Sequence, residues 1–293
     1  MPELPEVEHV KRGITPHIMH QRITDVSFSE PVKRGKLEGK ETIIKGIGLD
    51  DFITHSVDYV ITDVQRRSKY ILFHIQHGNS ERTLISHLGM AGAFFVVRSL
   101  EDIAIPNFRK HWQVVFQLEN GIKLVYSDIR RFGEIRNVES LEAYPSILEI
   151  APEPFEKDAL AHYLAQSHEK KYINKAIKPF ILDHRVISGC GNIYACEALF
   201  DAKIHPEKKV KDLSVAEKTK LFNSVVKVLE MGILNGGTSV SDYVHADGQR
   251  GTMQDHLKVY KQKHCTECES AIETVIISGR NTHFCPNCQS EDR

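Results

Sequence analysis

The sequence predicts an α+β chain: an N-terminal β-sandwich flanked by a helix, then a helical domain, then a closing cysteine-bearing β-hairpin. Three observations predict it. Between residue 20 and about 135, short β-branched and aromatic runs alternate with Gly, Asn and charged turns. After a stretch holding Pro145, Pro152 and Pro154, the apolar spacing becomes helical. Two Cys-x-x-Cys pairs then stand near the C-terminus.

In chain order, Val7, Val10 and Ile14 recur at helical spacing, and Thr15-Pro16 ends the pattern, so a first helix is expected over residues 3 to 14. Strands are expected at Tyr59 to Val64, Tyr70 to Ile75, Thr83 to Ile85, Phe94 to Val97, Trp112 to Leu118 and Ile122 to Tyr126. Asn120-Gly121 between the last two is a hairpin signal. With no helical pattern between these runs, a βαβ arrangement fails and a sandwich fits. Helices follow around Leu160 to Leu164, Lys175 to Asp183 and Asn192 to Ala202, the last two joined by a turn holding Gly189 and Gly191. Ser214 and Glu217 form a capping box ahead of Leu221 to Leu234, which Gly236-Gly237 closes. The expected division is 1–136 for the sandwich, 137–154 for a hinge, 155–258 for the helical domain and 259–293 for the finger.

Composition sets bounds. A chain of 293 residues, 41% hydrophobic and 26% charged, has the length and balance for two cores. No apolar run reaches a membrane span and no signal segment is evident, so a cytoplasmic protein without a membrane partner is expected. The net charge of -1 argues against attachment to nucleic acid by bulk charge, but leaves room for a local basic track.

The cysteines carry the most specific chemical signal. Cys265-x-x-Cys268 and Cys285-x-x-Cys288, with sixteen residues between the pairs, can set four thiolates around Zn²⁺. With all four positions filled by protein, such a zinc is structural; disulfides or free thiols are the other uses of this pattern. His264 and His283 stand beside the pairs and are expected at the surface. The hairpin is expected at Val275 to Ser278 and Asn281 to Phe284, with Gly279-Arg280 at its tip.

The N-terminus carries the second signal. Met is normally trimmed ahead of Pro, which would leave Pro2 with a free secondary amine. An α-amine titrates near about 8 against about 10.4 for lysine, so near neutrality a usable fraction is uncharged. Such an amine can attack a sugar C1′ and form a Schiff base. Glu3 and Glu6 sit three apart on the expected helix, so a carboxylate can lie beside it. Ordinary capping accounts equally for Pro and Glu in a first turn.

The opening Pro2-Glu3-Leu4-Pro5-Glu6-Val7-Glu8 resembles that of the formamidopyrimidine-DNA glycosylases, the Fpg or MutM family within the Fpg/Nei group. Gln65 to Tyr70, His87 to Gly92, Asp128 to Gly133, Ser188 to Ala195 and the four cysteines match the same family in the same order, so the resemblance runs end to end. It implies a bifunctional glycosylase and AP lyase for oxidised purines such as 8-oxoguanine and formamidopyrimidines in duplex DNA. It implies catalytic roles for Pro2, Glu3, Lys69 and Arg280, a helix-two-turns-helix motif at Ser188 to Ala195, and one structural Zn²⁺. By the same resemblance Met90, Arg130 and Phe132 fill the gap left by a base everted between the domains, while His111, Arg131 and Asn192 meet the DNA backbone. Asn192 would also cap its helix. The implied partner is double-stranded DNA holding a damaged base or abasic site; the implied protein is a bacterial, nucleoid-associated monomer.

The chain departs from the family at Met253, where an aromatic is frequent, at Ile173-Asn174, where basic residues are frequent, and at Cys190 in the turn. By the resemblance, Met253 follows Gly248 to Thr252 in the loop that in the family covers the flipped base, so lesion preference is the property most exposed. Three rivals remain: an Nei-type enzyme for oxidised pyrimidines, a zinc-dependent DNA-binding protein without catalysis, and a zinc-ribbon scaffold for proteins. The non-catalytic readings need the cysteines but not Pro2, Glu3 or Lys69.

Overall fold

The computed structural model describes residues 1–239 and 248–290. Residues 240–247 of the expected helical domain and 291–293 of the expected finger lie outside the described residues. The chain divides into two compact units, residues 1–148 with 236–252, and residues 149–235 with 253–293.

The first unit opens with α1 (Leu4–Ile18), β1 (Ile23–Phe28), α2 (Glu30–Leu37) and α3 (Leu49–Thr54). Then come β2 (Val60–Arg67), β3 (Tyr70–His77), β4 (Ser80–His87), β5 (Gly92–Val97), α4 (Pro106–Lys110), β6 (Trp112–Leu118), β7 (Lys123–Asp128), β8 (Glu134–Val138) and α5 (Pro145–Leu148). They form two four-stranded antiparallel sheets, ordered β1-β6-β7-β5 and β2-β3-β4-β8, the expected sandwich. Its core joins Phe73 and Leu84 of one sheet to Phe94, Phe116 and Tyr126 of the other. Asn120-Gly121 does turn between β6 and β7, with Gly121 at φ +81° and Asn120 Oδ1 accepting the Ile122 N–H.

Helix α1 runs past its expected end, with Pro16 inside it. A proline so close to the C-terminus removes only one helical hydrogen bond. Ile14 and Ile18 are fully buried in the sandwich core, and burying each contributes about 1.5–3 kcal/mol, enough to carry the last turn. Strands β1 and β8 and helices α2, α3 and α4 have no counterpart among the expected elements. They are short, and the two strands take their burial patterns from neighbours distant in sequence: β1 pairs with β6, and β8 with β4.

The second unit holds α6 (Ala159–Gln166), α7 (Ile177–Leu182), α8 (Asn192–Ala202), α9 (Val215–Leu234) and the hairpin β9 (Glu273–Ile277) and β10 (Arg280–Phe284). Helix α8 is buried on almost every side and packs on α9. Tyr163, Tyr172, Phe180 and Phe222 pack ring against ring and join α6, α7 and α9. The Ser214–Glu217 capping box forms as expected. Among the described residues no helix is long and apolar enough to cross a membrane.

Candidate active site and nucleic-acid interface

Helix α1 begins by capping itself. Glu3 is its N-cap, and Glu6 reaches back to accept the Glu3 N–H at 2.8 Å. The capping reading of these glutamates is therefore realised, and it buries the terminus. Pro2, Glu3 and Glu6 are all buried, Glu3 and Glu6 each 2% exposed. Here the chain still carries Met1. Burial lowers the Met1 ammonium below the usual α-amine range; Glu3 and Glu6 oppose that, while Lys69 and Arg130 add to it. The terminal amine thus shares one neighbourhood with Glu3, Glu6, Lys69 and Arg130, in a setting that favours its uncharged form.

Lys69 sits in the tight turn from β2 to β3, next to Ser68 at φ +55°. That turn is braced from below. Arg66 donates to the Ser68 carbonyl at 3.0 Å and to Glu8 at 2.9 Å, tying the turn to α1. Burial raises the Glu8 carboxyl, but Lys11, Arg12 and Arg66 together outweigh it and hold Glu8 below its ordinary value.

The loop carrying Met90 and the loop 128–133 are joined by glycines. A Cβ at Gly89 would lie 2.4 Å from the Gly133 nitrogen, and one at Gly133 would lie 1.8 Å from the Tyr126 hydroxyl. No other residue permits that approach. Asp128, fully buried, organises the second loop: Oδ1 accepts the N–H of Arg130 (3.0 Å) and Arg131 (2.8 Å), and Oδ2 that of Gly133 (2.8 Å). Arg131 is held in the left-handed region at φ +57°. What this frame presents outward is Met90 (37% exposed), Phe132 (59% exposed) and the Arg130 guanidinium, 5.1 Å from the Phe132 ring centre. An exposed apolar pair with a stacked Arg is the shape of a side-chain wedge. His87 Nδ1 accepts the Gly89 N–H at 3.1 Å and the ring packs at a tilt against Tyr70, centroids 4.9 Å apart. Burial, then the charges of Lys69 and Lys45, push His87 down to about 4, so it stays neutral in that role. His111, half-buried, closes α4, and its carbonyl accepts the Asp128 N–H.

In the second unit, α8 begins at Asn192 with Gly191 as its N-cap, so Asn192 does not cap the helix. Its side chain is engaged elsewhere. Oδ1 accepts from Lys178 Nζ at 2.6 Å, and Nδ2 donates to the Asn281 carbonyl at 2.9 Å. Lys178, fully buried on α7, also donates to Thr282 Oγ1 at 2.6 Å. One ammonium therefore ties α7, the start of α8 and the hairpin together. Its place before Pro179 in a short apolar run gives no sequence signal. Glu197, buried in α8, similarly accepts the N–H groups of residues 258 to 260.

The hairpin tip is Ser278-Gly279, at φ +49° and +73°, and not Gly279-Arg280. Two consecutive left-handed residues are the turn that matches strand twist in a two-residue hairpin. Arg280 is instead the first residue of β10, paired with Ile277, and is exposed. At the other end of the finger, one sulfur each from Cys265, Cys268, Cys285 and Cys288 lie within 4.8 Å of one another. The Cys265–Cys288 and Cys268–Cys285 pairs are 3.8 and 3.5 Å apart. Tetrahedral Zn–S bonds of about 2.3 Å require sulfurs roughly 3.8 Å apart, so the cluster fits one zinc, with no ligand position left open. His264 is exposed as expected, whereas His283 is half-buried against Tyr260; neither belongs to the four-sulfur group.

Comparison with known proteins agrees with this geometry along the whole chain. Residues 1–135 match the formamidopyrimidine-DNA glycosylase N-terminal domain, 150–244 the H2TH domain of the same enzymes, and 263–290 the zinc finger found in FPG and IleRS. The formamidopyrimidine-DNA glycosylase of Legionella pneumophila (strain Philadelphia 1) is 38% identical over 292 residues, covering 99% of this chain and 98% of that protein. This chain belongs to the formamidopyrimidine-DNA glycosylase family.

A Haemophilus influenzae (strain PittEE) relative is 36% identical, with 99% of both chains covered. Among solved structures, wild-type Lactococcus lactis Fpg with oxidised-pyrimidine DNA superposes at TM-score 0.83, with 31% identity, over 99% of this chain and 100% of that one. MutM of Thermus thermophilus does so at 0.82, with 30% identity and 99% of both chains covered. The family comprises base-excision repair glycosylases with AP lyase activity. Its zinc finger and the four-sulfur cluster agree on one structural zinc.

Proposed function

We propose that this enzyme excises oxidised purines, 8-oxoguanine and formamidopyrimidines, from duplex DNA and then cleaves the abasic strand. Removal of Met1 exposes the Pro2 nitrogen in the neighbourhood now occupied by the Met1 amine. The uncharged nitrogen attacks C1′; the N–C1′ bond forms as the glycosidic bond breaks, the base leaves with the bonding electrons, and the proton that the now cationic Pro2 nitrogen gives up neutralises it, freeing the lone pair that forms the iminium. Glu3 delivers a proton to the ring oxygen O4′ as the sugar opens. The iminium acidifies C2′. Loss of a C2′ proton, with Lys69 assisting transfer, expels the 3′ phosphate, and a second elimination, assisted by Arg280, expels the 5′ phosphate. Met90, Arg130 and Phe132 fill the stack where the nucleotide was, offsetting an unstacking cost of a few kcal/mol. His111, Arg131 and the backbone N–H of Asn192 at the start of α8 hold phosphates. The working form is a cytoplasmic, nucleoid-associated monomer divided as 1–136, hinge 137–154, 155–258 and 259–293.

The observation that supports this reading most is geometric: Pro2 is buried at the start of α1 between Glu3 and Glu6, which are each 2% exposed, with Glu6 holding the Glu3 N–H at 2.8 Å. Borohydride reduction during reaction with an 8-oxoguanine duplex tests it. A covalent protein–DNA adduct is expected; none, beside a control protein that crosslinks, refutes it. The Lactococcus lactis complex with oxidised-pyrimidine DNA favours a second reading in which pyrimidine lesions are also taken. Cleavage of a thymine-glycol duplex at a rate comparable to that of an 8-oxoguanine duplex would select it, and faster cleavage would mark a pyrimidine-preferring enzyme.

A further inference from the structure

Glu6 does more than cap α1. Its second oxygen, Oε1, accepts both the N–H of Thr238 at 2.7 Å and the Thr238 hydroxyl at 2.9 Å. Thr238 lies 232 residues away in sequence, on the strip 236–239 that follows α9 and belongs to the first compact unit. The strip is built for this contact. Gly237 sits at φ +77°, and a Cβ there would meet the Glu6 carboxylate at 2.8 Å. The returning strip, 248–252, is locked to it: a Cβ on Gly251 would lie 2.1 Å from the Gly237 carbonyl, and the Gly251 N–H donates to Ser239 Oγ at 3.1 Å. Glycines at 237 and 251 and one buried carboxylate thus fix both strips onto the start of α1.

We infer that Glu6 is a positioning residue that couples recognition of the damaged base to the terminal amine, an inference that rests on the function proposed above. The carbon attacked by the Pro2 nitrogen is the carbon that bears the base. A chain segment held one carboxylate away from the Glu3 N–H therefore lies where a base still attached to that carbon must be accommodated. An abasic sugar offers the segment nothing to touch. Glu6 replaces a flexible approach of the two strips by a fixed one, and misplacement by about 1 Å at such a site costs on the order of a hundredfold in rate. A neutral amide at this position cannot accept from Glu3 and from both Thr238 donors, because one of its two ends is itself a donor.

The test uses the full-length, zinc-loaded protein and Glu6→Gln, with Gly237→Ala as a second route to the same displacement from the opposite side. Single-turnover excision from an 8-oxoguanine duplex and borohydride trapping on an abasic duplex are measured well below the melting temperature of each variant. Both variants are expected to lose about tenfold to a hundredfold more in base excision than in abasic trapping, and Glu6→Asp to recover part of the difference. Equal losses on the two substrates, or no loss on either, overturn the inference while leaving the proposed function standing. If wild type itself neither excises nor traps, the function and the inference fall together.

Discussion

A loop and a hairpin present arginines outward in this molecule, and they are held in opposite ways. In the first unit, loop 128–133 is wrapped around the Asp128 carboxylate, which gathers three N–H groups and carries Arg130, Arg131 and Phe132. In the second, the β9–β10 hairpin that carries Arg280 stands on four sulfurs spaced for a metal. The first loop lies beside a large core, so hydrogen bonds to one buried anion suffice to shape it. The finger has little apolar mass of its own; its sulfurs pack on Val259 and on Cys196 and Phe200 of α8, and metal supplies what a core would.

Removing the metal gives the largest expected contrast. Structural zinc contributes on the order of 10 kcal/mol or more to folding of such fingers. Chelation is expected to unfold residues 263–290 and abolish tight duplex binding, while amide exchange in the β1-β6-β7-β5 and β2-β3-β4-β8 sheets stays slow. Loss of protection throughout the sheets would show that the two regions are not independently held.

Replacing Asp128 by Asn is expected to cost less. One amide end cannot accept, so at least one buried N–H of the loop loses its partner, at about 1–3 kcal/mol. Chemical denaturation should show that loss, with a larger proportional fall in duplex affinity because the wedge residues lose their frame. An unchanged midpoint would mean that the glycine contacts alone shape the loop.

His87 predicts a pH signature in the first unit. Its native value, about 4, lies below the unfolded 6.5, so as pH falls the unfolded chain takes up the proton first. Stability from this residue is complete above 6.5 and is lost as pH falls toward 4, at about 1.4 kcal/mol per pH unit within the window. His87→Gln should flatten that part of the stability–pH curve. An unaltered slope would place the titration elsewhere.

The smallest effect concerns Arg131. Glycine there relieves a left-handed backbone worth about 1 kcal/mol while deleting one positive charge. Thermal stability is expected to hold or rise slightly, and the salt dependence of duplex binding to become shallower by about one unit.

Much of this is legible in the chain itself. The sandwich, the α8 bounds, the capping box at Ser214 and the four-cysteine set follow from local periodicity and spacing, which need no partner to be read. What escapes reading depends on partners far away in sequence. Lys178 is apolar in setting but charged, and only its burial against Asn192 and Thr282 explains it. Asn192 resembles a cap because it opens a helix after glycine; the hairpin carbonyl of Asn281 claims its side chain instead. Counting along the hairpin puts Arg280 at the tip, and the two left-handed residues move the tip back by one. Glu6 is legible as a first-turn carboxylate, but its bond to Thr238 is not.

The central claim is that the chain's second residue is the nucleophile. Its most direct measurement is peptide mapping by mass spectrometry of the borohydride-reduced adduct with 8-oxoguanine DNA. One modified peptide is expected, beginning at Pro2 with the sugar remnant on its nitrogen and no Met1. A remnant on Lys69 or another lysine, or an active protein still bearing Met1, would contradict it.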